Sequence, residues 1–348
     1  MEFVDLRSDT VTMPTPAMRE AMAGAKVGDD VYGEDPTVNH LQELGASLMG
    51  KEAGLFVSSG TMGNLAGVLA HCQRGEEVMV GNKSHIYLYE AGGVSVLGGV
   101  HSCQLPNQPD GSLALEDIRA AIRTDDPHEP VSRLICLENT HNRCGGTFQT
   151  PGYTKQIADF AHTHGLSIHL DGARIFNAAV AQGIQAKELA QSVDSVTFCL
   201  SKGLCAPVGS VLCGSKEFIK KAHRVRKMLG GGMRQAGILA AAGIVALETM
   251  IGRLTEDHVR AGYLAKGLRQ IPDLVLNQDD PATNMMFLSL DPRVKLDGVA
   301  IERKLKELGI LADTTGPRSF RLVVHYGIND EGVERTIKAF RSVLENSQ

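Results

Sequence analysis

The chain has 348 residues, enough for a well-buried core and for one large domain or two unequal ones. Its 40 acidic and 35 basic side chains nearly balance, and no run of like charge is long enough to grip nucleic acid, so small molecules are the expected partners. Apolar stretches stop well short of the roughly 20 residues of a membrane span, and Met1-Glu2-Phe3-Val4-Asp5-Leu6-Arg7 lacks the pattern of a secretory leader, so a soluble cytoplasmic protein is expected.

The opening segment, Asp5-Leu6-Arg7-Ser8-Asp9-Thr10-Val11-Thr12, is too polar for a core strand and too short for a domain. Residues 1–20 are expected to form an arm over a site. The middle of the chain alternates β-rich runs (54–57, 77–80, 134–138, 167–170, 195–200, 210–213) with amphipathic ones (62–72, 115–122, 153–162, 218–228). Several of the β-rich runs lack polar alternation, which marks strands buried on both faces. This βα rhythm predicts an α/β domain over residues 21–250, with a mainly parallel seven-stranded sheet flanked by helices. Beyond a small-residue-rich helix at 235–250 the rhythm changes: a helix at 254–268, a strand at 286–290, a helix at 298–308, a strand at 320–324 and a last helix. These predict a smaller α+β domain over residues 251–348. The seven cysteines are scattered and never form a C-x-x-C pair, so they are expected to be reduced, and no metal site is expected.

Candidate chemistry follows the same order along the chain. Ser58-Ser59-Gly60-Thr61 joins a strand to a helix, where hydroxyls and free N–H groups form a cup for one phosphate. Helix capping would use the same residue types, but the spacing of a dinucleotide fold or a P-loop is missing. His85 follows the second strand and could stack on a flat ring or move protons near neutral pH, or be simply structural. His128 lies in Asp125-Asp126-Pro127-His128-Glu129-Pro130, which reads as an exposed turn. Asp171 ends an apolar strand; it suits the protonated nitrogen of a pyridine ring or, equally, the N-cap of a helix. Lys202 follows the next strand and precedes Gly203, so a buried strand delivers an amine able to form a Schiff base, unless it is a surface lysine at a strand end. Asp and Lys at the ends of successive parallel strands face one crevice. Arg234 closes a Gly-rich turn, and Arg321 interrupts an apolar strand, where it calls for an anion: a substrate carboxylate or a structural acid.

With these residues assembled, the chain closely resembles, nearly end to end, the L-threonine aldolases of low stereospecificity, pyridoxal-phosphate enzymes of aspartate-aminotransferase-like fold. The resemblance is carried by the opening segment, Val27-Gly28-Asp29-Asp30-Val31-Tyr32-Gly33-Glu34-Asp35-Pro36, Leu137-Glu138-Asn139-Thr140-His141-Asn142, His169-Leu170-Asp171-Gly172-Ala173-Arg174, Leu200-Ser201-Lys202-Gly203-Leu204 and Gly230-Gly231-Gly232-Met233-Arg234-Gln235. It implies that Lys202 holds pyridoxal 5'-phosphate covalently, Asp171 pairs with the pyridine nitrogen, Ser59, Gly60 and Thr61 cradle the phosphate, and His85 stacks on the ring. It also implies that Ser8, Arg174 and Arg321 gather the substrate carboxylate, with Arg174 near the cofactor as well. Tyr32, toward the substrate, and Lys227 and Arg234, toward the cofactor, would come from a neighbouring subunit of a homotetramer built as a dimer of dimers.

The implied reaction is retro-aldol cleavage of L-threonine or L-allo-threonine to glycine and acetaldehyde, through an external aldimine and a quinonoid glycine carbanion, with the reverse aldol addition. His85 and His128 are the implied candidates for the base that takes the β-hydroxyl proton. The competing readings are another amino-acid lyase or aminotransferase on the same fold, which would share Lys202, Asp171 and the phosphate cup, and a non-catalytic binding protein, which would be expected to lose the lysine or the acid.

Overall fold

The computed structural model describes residues 3–278 and 280–345. The chain divides into two compact units, Pro14–Ile251 and Met1–Met13 together with Gly252–Gln348. The opening strand β1 (Val4–Asp5) therefore belongs to the smaller unit.

The larger unit begins with α1 (Pro16–Ala23) and α2 (Pro36–Met49). Each starts with Pro, whose missing N–H costs nothing there, behind a capping Thr15 or Asp35 whose side-chain oxygen accepts a first-turn N–H. There follow β2 (Ala53–Val57), α3 (Gly60–His71), β3 (Glu76–Gly81), α4 (His85–Leu88), α5 (Gly93–Val96), β4 (His101–Leu105) and α6 (Leu115–Ala121). The second half runs β5 (Val131–Glu138), α7 (Pro151–Thr163), β6 (Ser167–Asp171), α8 (Ile175–Gln182), α9 (Ala186–Ala190), β7 (Ser195–Cys199), β8 (Ser210–Gly214), α10 (Lys216–Met228) and α11 (Gly237–Val245).

The seven strands form one sheet in the order β2-β8-β7-β6-β5-β3-β4, in which β8 alone runs opposite to the other six. This is the mainly parallel seven-stranded sheet expected. β7 and β8 are buried at every position, and the polar residues they carry, Ser195, Thr197 and Ser210, are small enough to be buried with them. β4 lay outside the predicted runs because His101-Ser102-Cys103-Gln104 is polar; it is an edge strand, and only Leu105 is buried.

Register places the functional ends together. Glu138 at the end of β5 pairs with Asp171 at the end of β6, which pairs with Thr197 on β7. Ser210 on β8 faces both Val57, the last residue of β2, and Cys199, the last of β7. The loops after β2, β5, β6 and β7 thus leave from one edge of the sheet, where open α/β sheets form their crevice.

In the smaller unit, α12 (Leu254–Arg269), α13 (Gly298–Glu307) and α14 (Asp330–Glu345) accompany β9 (Leu274–Leu276), β10 (Met285–Leu290), β11 (Ile310–Leu311), β12 (Asp313–Gly316) and β13 (Ser319–Val323). The last four-stranded sheet is antiparallel, in the order β12-β13-β10-β9. β1 pairs with β11, and Val4 and Leu6 join a core that includes Leu264, Leu288, Phe320 and Phe340. Each such fully buried side chain contributes roughly 1.5–3 kcal/mol, so the opening segment is anchored by apolar burial despite its polar appearance. Among the described residues no single helix is long and apolar enough to cross a membrane.

Candidate active site

The site is built on close packing of α3 against the sheet. A Cβ placed at Gly63 would lie 2.5 Å from Thr197 Cγ2, one at Gly67 2.8 Å from the His169 ring, and one at Gly60 2.9 Å from Cys199 Sγ. Only glycine lets the helix sit this low. Asn64, between these glycines, consequently reaches into the sheet edge, where its Nδ2 donates to Asp171 Oδ2 (2.9 Å) and to Glu90 Oε1 (2.8 Å). Asn64, Asp171 and Glu90 are 2%, 3% and 4% exposed, so these bonds are shielded from water.

Asp171 Oδ1 accepts from Ala173 N (3.0 Å), and the helix that follows is entered through Arg174. Asp171 is therefore not the N-cap of α8. His85 opens α4, with its backbone N–H donating to Glu138 Oε2 (2.7 Å); Glu138 Oε1 accepts from Asn142 N (2.8 Å). One carboxylate at the end of β5 thus pins two loops. His85 Nδ1 lies 2.8 Å from Glu90 Oε1. Behind Asn64, its Oδ1 meets His169 Nε2 (3.2 Å), His169 Nδ1 meets Ser195 Oγ (2.8 Å), and Ser195 Oγ meets His71 Nε2 (2.8 Å).

These contacts set the charges. Burial pushes His85 down, but the hydrogen bond to Glu90 and the charges of Asp171 and Glu90 outweigh it, with Lys202 opposing, and the net shift is upward. Burial, helped by the charge of Asp171, raises Glu90 against the lowering effect of its bonds to His85 and Asn64. Burial drives His169 down to about 3, so that ring is neutral. His85, Glu90 and Asp171 place one imidazole nitrogen and two carboxylate oxygens within 4.8 Å of one another. Asn64 already directs a donor at each carboxylate, which suits the cluster to sharing protons.

Lys202 lies just past β7 in a turn closed by Cys205 N donating to Lys202 O (2.8 Å) and Ala206 N to Leu200 O (3.0 Å). The charge of Lys202 bears on the His85 ring. At the end of β2, Ser59 caps α3 by accepting from Met62 N (3.1 Å), so Ser59, Gly60 and Thr61 form the first turn of a twelve-residue helix. This donor set fits pyridoxal 5'-phosphate: a positive helix end bare of a Cβ at Gly60 for the phosphate, a buried acid for the ring nitrogen, an amine for the carbonyl carbon.

Tyr32, Lys227 and Arg234 are exposed, Tyr32 to 74%. Their segments are tied together. Arg234 pairs with Asp29 (2.9 Å), Asp30 N donates to Arg234 O (3.0 Å), and buried Arg226 pairs with Asp30 (2.8 Å) while donating to Phe56 O (2.7 Å). Buried Arg174 enters α8. In the smaller unit, Ser8 caps a short turn through Thr10 N (3.2 Å), and Arg321 on β13 donates to Arg7 O (3.0 Å) and pairs with Asp313 (3.5 Å). Ser8 and Arg321 are thereby neighbours, although the structural acid that the sequence left open for Arg321 is present.

His128 departs from the expectation that it serves beside His85. It sits in a turn before β5, with its N–H on Asp126 Oδ1 (2.8 Å) and its side chain 90% exposed. The eight residues of β5 span roughly 25 Å. His128 is therefore at the opposite edge of the sheet from Glu138 and Asp171, and the two residues between it and β5 cannot bring it back. Asn64, Glu90 and the clamp function of Glu138 were not read from the sequence. The glycine spacing 60, 63, 67 was the available signal for the first.

The β-eliminating lyase family model matches residues 5–291. Low-specificity L-threonine aldolase 1 of Arabidopsis thaliana is 48% identical, covering 100% of this chain and 98% of that protein. The low specificity L-threonine aldolase of Escherichia coli K12 is 46% identical, covering 98% and 99%. The solved threonine aldolase of Leishmania major shares the fold with a TM-score of 0.84 at 21% identity, covering 98% of this chain and 99% of that one.

Proposed function

Because the chain belongs to the β-eliminating lyase family and stands among the low-specificity L-threonine aldolases, we propose that it holds pyridoxal 5'-phosphate on Lys202 and cleaves L-threonine and L-allo-threonine to glycine and acetaldehyde, with the reverse addition on the same site. The observation that carries this reading is the buried Asp171, aimed by Asn64 and Ala173, at the strand end next to the one that delivers Lys202. When bound, the cofactor supplies an electron sink for the pair left on Cα as the Cα–Cβ bond breaks.

The chain supplies everything else. Asp171, kept as an acceptor by two N–H donors, holds the proton on the ring nitrogen. The α3 N-terminus and the Ser59 and Thr61 hydroxyls bind the phosphate. Arg174, Ser8 and Arg321 are assigned to the substrate carboxylate, whose fixed position orients the breaking bond. His85 takes the β-hydroxyl proton. A single imidazole contact to that hydroxyl tolerates either configuration at Cβ, in keeping with a site that does not clamp the group it would have to distinguish. Tyr32, Lys227 and Arg234 are assigned to the site of a neighbouring copy in a dimer of dimers, and His128 can serve only by such presentation. The working compartment is taken to be the cytoplasm.

The test is direct. The purified protein should be yellow, borohydride should bleach it, and the reduced adduct should map to Lys202. Acetaldehyde, read by coupled reduction with NADH, should appear with glycine and without a keto acid. A cofactor-loaded protein that releases no acetaldehyde, or a label on another lysine, overturns the assignment.

A further inference from the structure

The hydrogen bonds around Asn64 have a direction. Its two N–H donors face two carboxylates, which only accept, so its Oδ1 is an acceptor and His169 carries its hydrogen on Nε2. The Ser195 hydroxyl then donates to His169 Nδ1 and accepts from His71 Nε2. Every donor in this chain of groups points toward Asp171 and Glu90. Glu90 Oε1 receives Asn64 and, at 2.8 Å, faces His85 Nδ1, while Oε2 is buried without a hydrogen-bond partner among the described residues. Both of the polar contacts made by the Glu90 side chain thus fall on one oxygen, and they link the imidazole to the ring-nitrogen acid through a single amide.

We propose that Glu90 is the positioning residue that makes His85 a base: it holds the imidazole through Nδ1–H, leaves Nε2 as the proton acceptor, and is itself fixed to Asp171 through Asn64. The proposal rests on the aldolase reading for the identity of the proton and on the geometry alone for the dyad. A carboxylate that accepts Nδ1–H selects the tautomer with a free Nε2 and steadies the imidazolium once that nitrogen is protonated. Glu138 fixes the same residue through its backbone N–H, so the main chain of His85 is anchored by one carboxylate and its ring by the other. The charged groups facing the ring are Glu90, Asp171 and Lys202, and the phenol ring of Tyr89 packs against it at 5.6 Å. Removing the Glu90 charge leaves burial and Lys202 pushing His85 down against Asp171 alone.

Wild-type holoenzyme, Glu90→Gln, Glu90→Asp, His85→Asn and the Glu90→Gln/His85→Asn double variant should be compared in two measurements: L-threonine cleavage across pH, and the His85 ring titration by NMR of histidine-labelled protein. Glu90→Gln should lower kcat about 10–100-fold with KM little changed, as for partners that orient a functional imidazole. The acid limb of the rate profile and the His85 midpoint should both move down by about one pH unit. Glu90→Asp should recover part of the rate. The double variant should be no slower than His85→Asn within about threefold, since a residue acting through another has nothing left to lose. Losses that multiply in the double variant, or a Glu90→Gln enzyme with wild-type kcat and pH limb, overturn the proposal. Should Glu90→Gln not fold, a Glu90→Asp enzyme with an unshifted limb, an unshifted His85 midpoint and full kcat does the same. A wild-type enzyme that releases no acetaldehyde refutes the aldolase reading instead, and the His85 midpoint then judges the dyad by itself.

Discussion

Replacing Gly63 by alanine should cost the enzyme its chemistry before it costs the fold. The added Cβ would stand 2.5 Å from Thr197 Cγ2 and 3.2 Å from its Oγ1. Carbon atoms rest at about 3.5–4.0 Å, so α3 must rise by about 1 Å. Asn64 rides on the same turn, and its 2.9 Å bond to Asp171 would stretch beyond hydrogen-bonding reach. Overpacking costs about 1–3 kcal/mol, of which better helix propensity returns up to about 1 kcal/mol. Two buried carboxylates each lose a donor, at about 1–3 kcal/mol apiece unless they take up protons. Gly152→Ala is the control: it sits in the first turn of α7, exposed, with only Thr150 Oγ1 near at 3.8 Å, and should stabilise by up to about 1 kcal/mol. Urea unfolding followed beside kcat and cofactor absorbance tests the chain of causes. A Gly63→Ala enzyme as stable as Gly152→Ala, with wild-type kcat, would show that α3 need not lie where the glycines put it.

Arg226→Met should destabilise by about 3–5 kcal/mol, because it strands the buried carboxylate of Asp30; adding Asp30→Leu should recover most of that, and thermal denaturation of both variants checks it. Asp171→Asn should lower kcat by about 100-fold or more while the fold survives, measured as turnover beside far-UV circular dichroism; near-normal turnover removes its electronic role. Arg321→Lys should raise the threonine KM about tenfold by losing the planar fork, and an unchanged KM leaves Arg321 to Asp313. Stability should fall below about pH 6.5. His169 is held at about 3 by burial and by the charge of His71, far under its unfolded value, so the unfolded state binds the extra proton as acid is added. The slope should be about 1.4 kcal/mol per pH unit for this residue, and a His169→Gln chain with the same slope in urea titrations from pH 7 to 5 refutes it.

The parallel sheet was legible because buried strands lack polar alternation, and the buried run Leu134-Ile135-Cys136-Leu137 of β5 shows that pattern. β4 was not, since an edge strand needs only one apolar residue to dock, and β9 and β12 are short for the same reason. Lys202 and Asp171 were legible as strand-end residues, and β6 and β7 do bring their ends to one edge. The amide and the second acid were not. The glycines at 60, 63 and 67 hint that α3 packs closely but not what Asn64 meets, and no local pattern marks Glu90; both acquire their partners from the approach of α3, a tertiary event. His128 shows the converse. Its type fitted the chemistry, but its place before β5 set it at the far edge, because a strand of eight residues separates what adjoins in sequence.

The groups behind Asp171 explain why the relay uses a neutral histidine. A cation at position 169 would stabilise the two acids more strongly than an imidazole dipole, yet it would also satisfy the charge that Asp171 must keep for a pyridinium. Burial to 0% exposure forbids that cation, and the Nε2–H of His169 offers Asn64 a hydrogen without offering a charge. Asn64 then divides two hydrogens between Asp171 and Glu90, so both carboxylates are aimed by one amide. The negative charge left over is spent in two directions: on the ring nitrogen by Asp171, and on the imidazole of His85 by Glu90. A low-lying helix is what makes this division possible, and it is the glycines of α3, rather than any titratable residue, that set the distance at which it works.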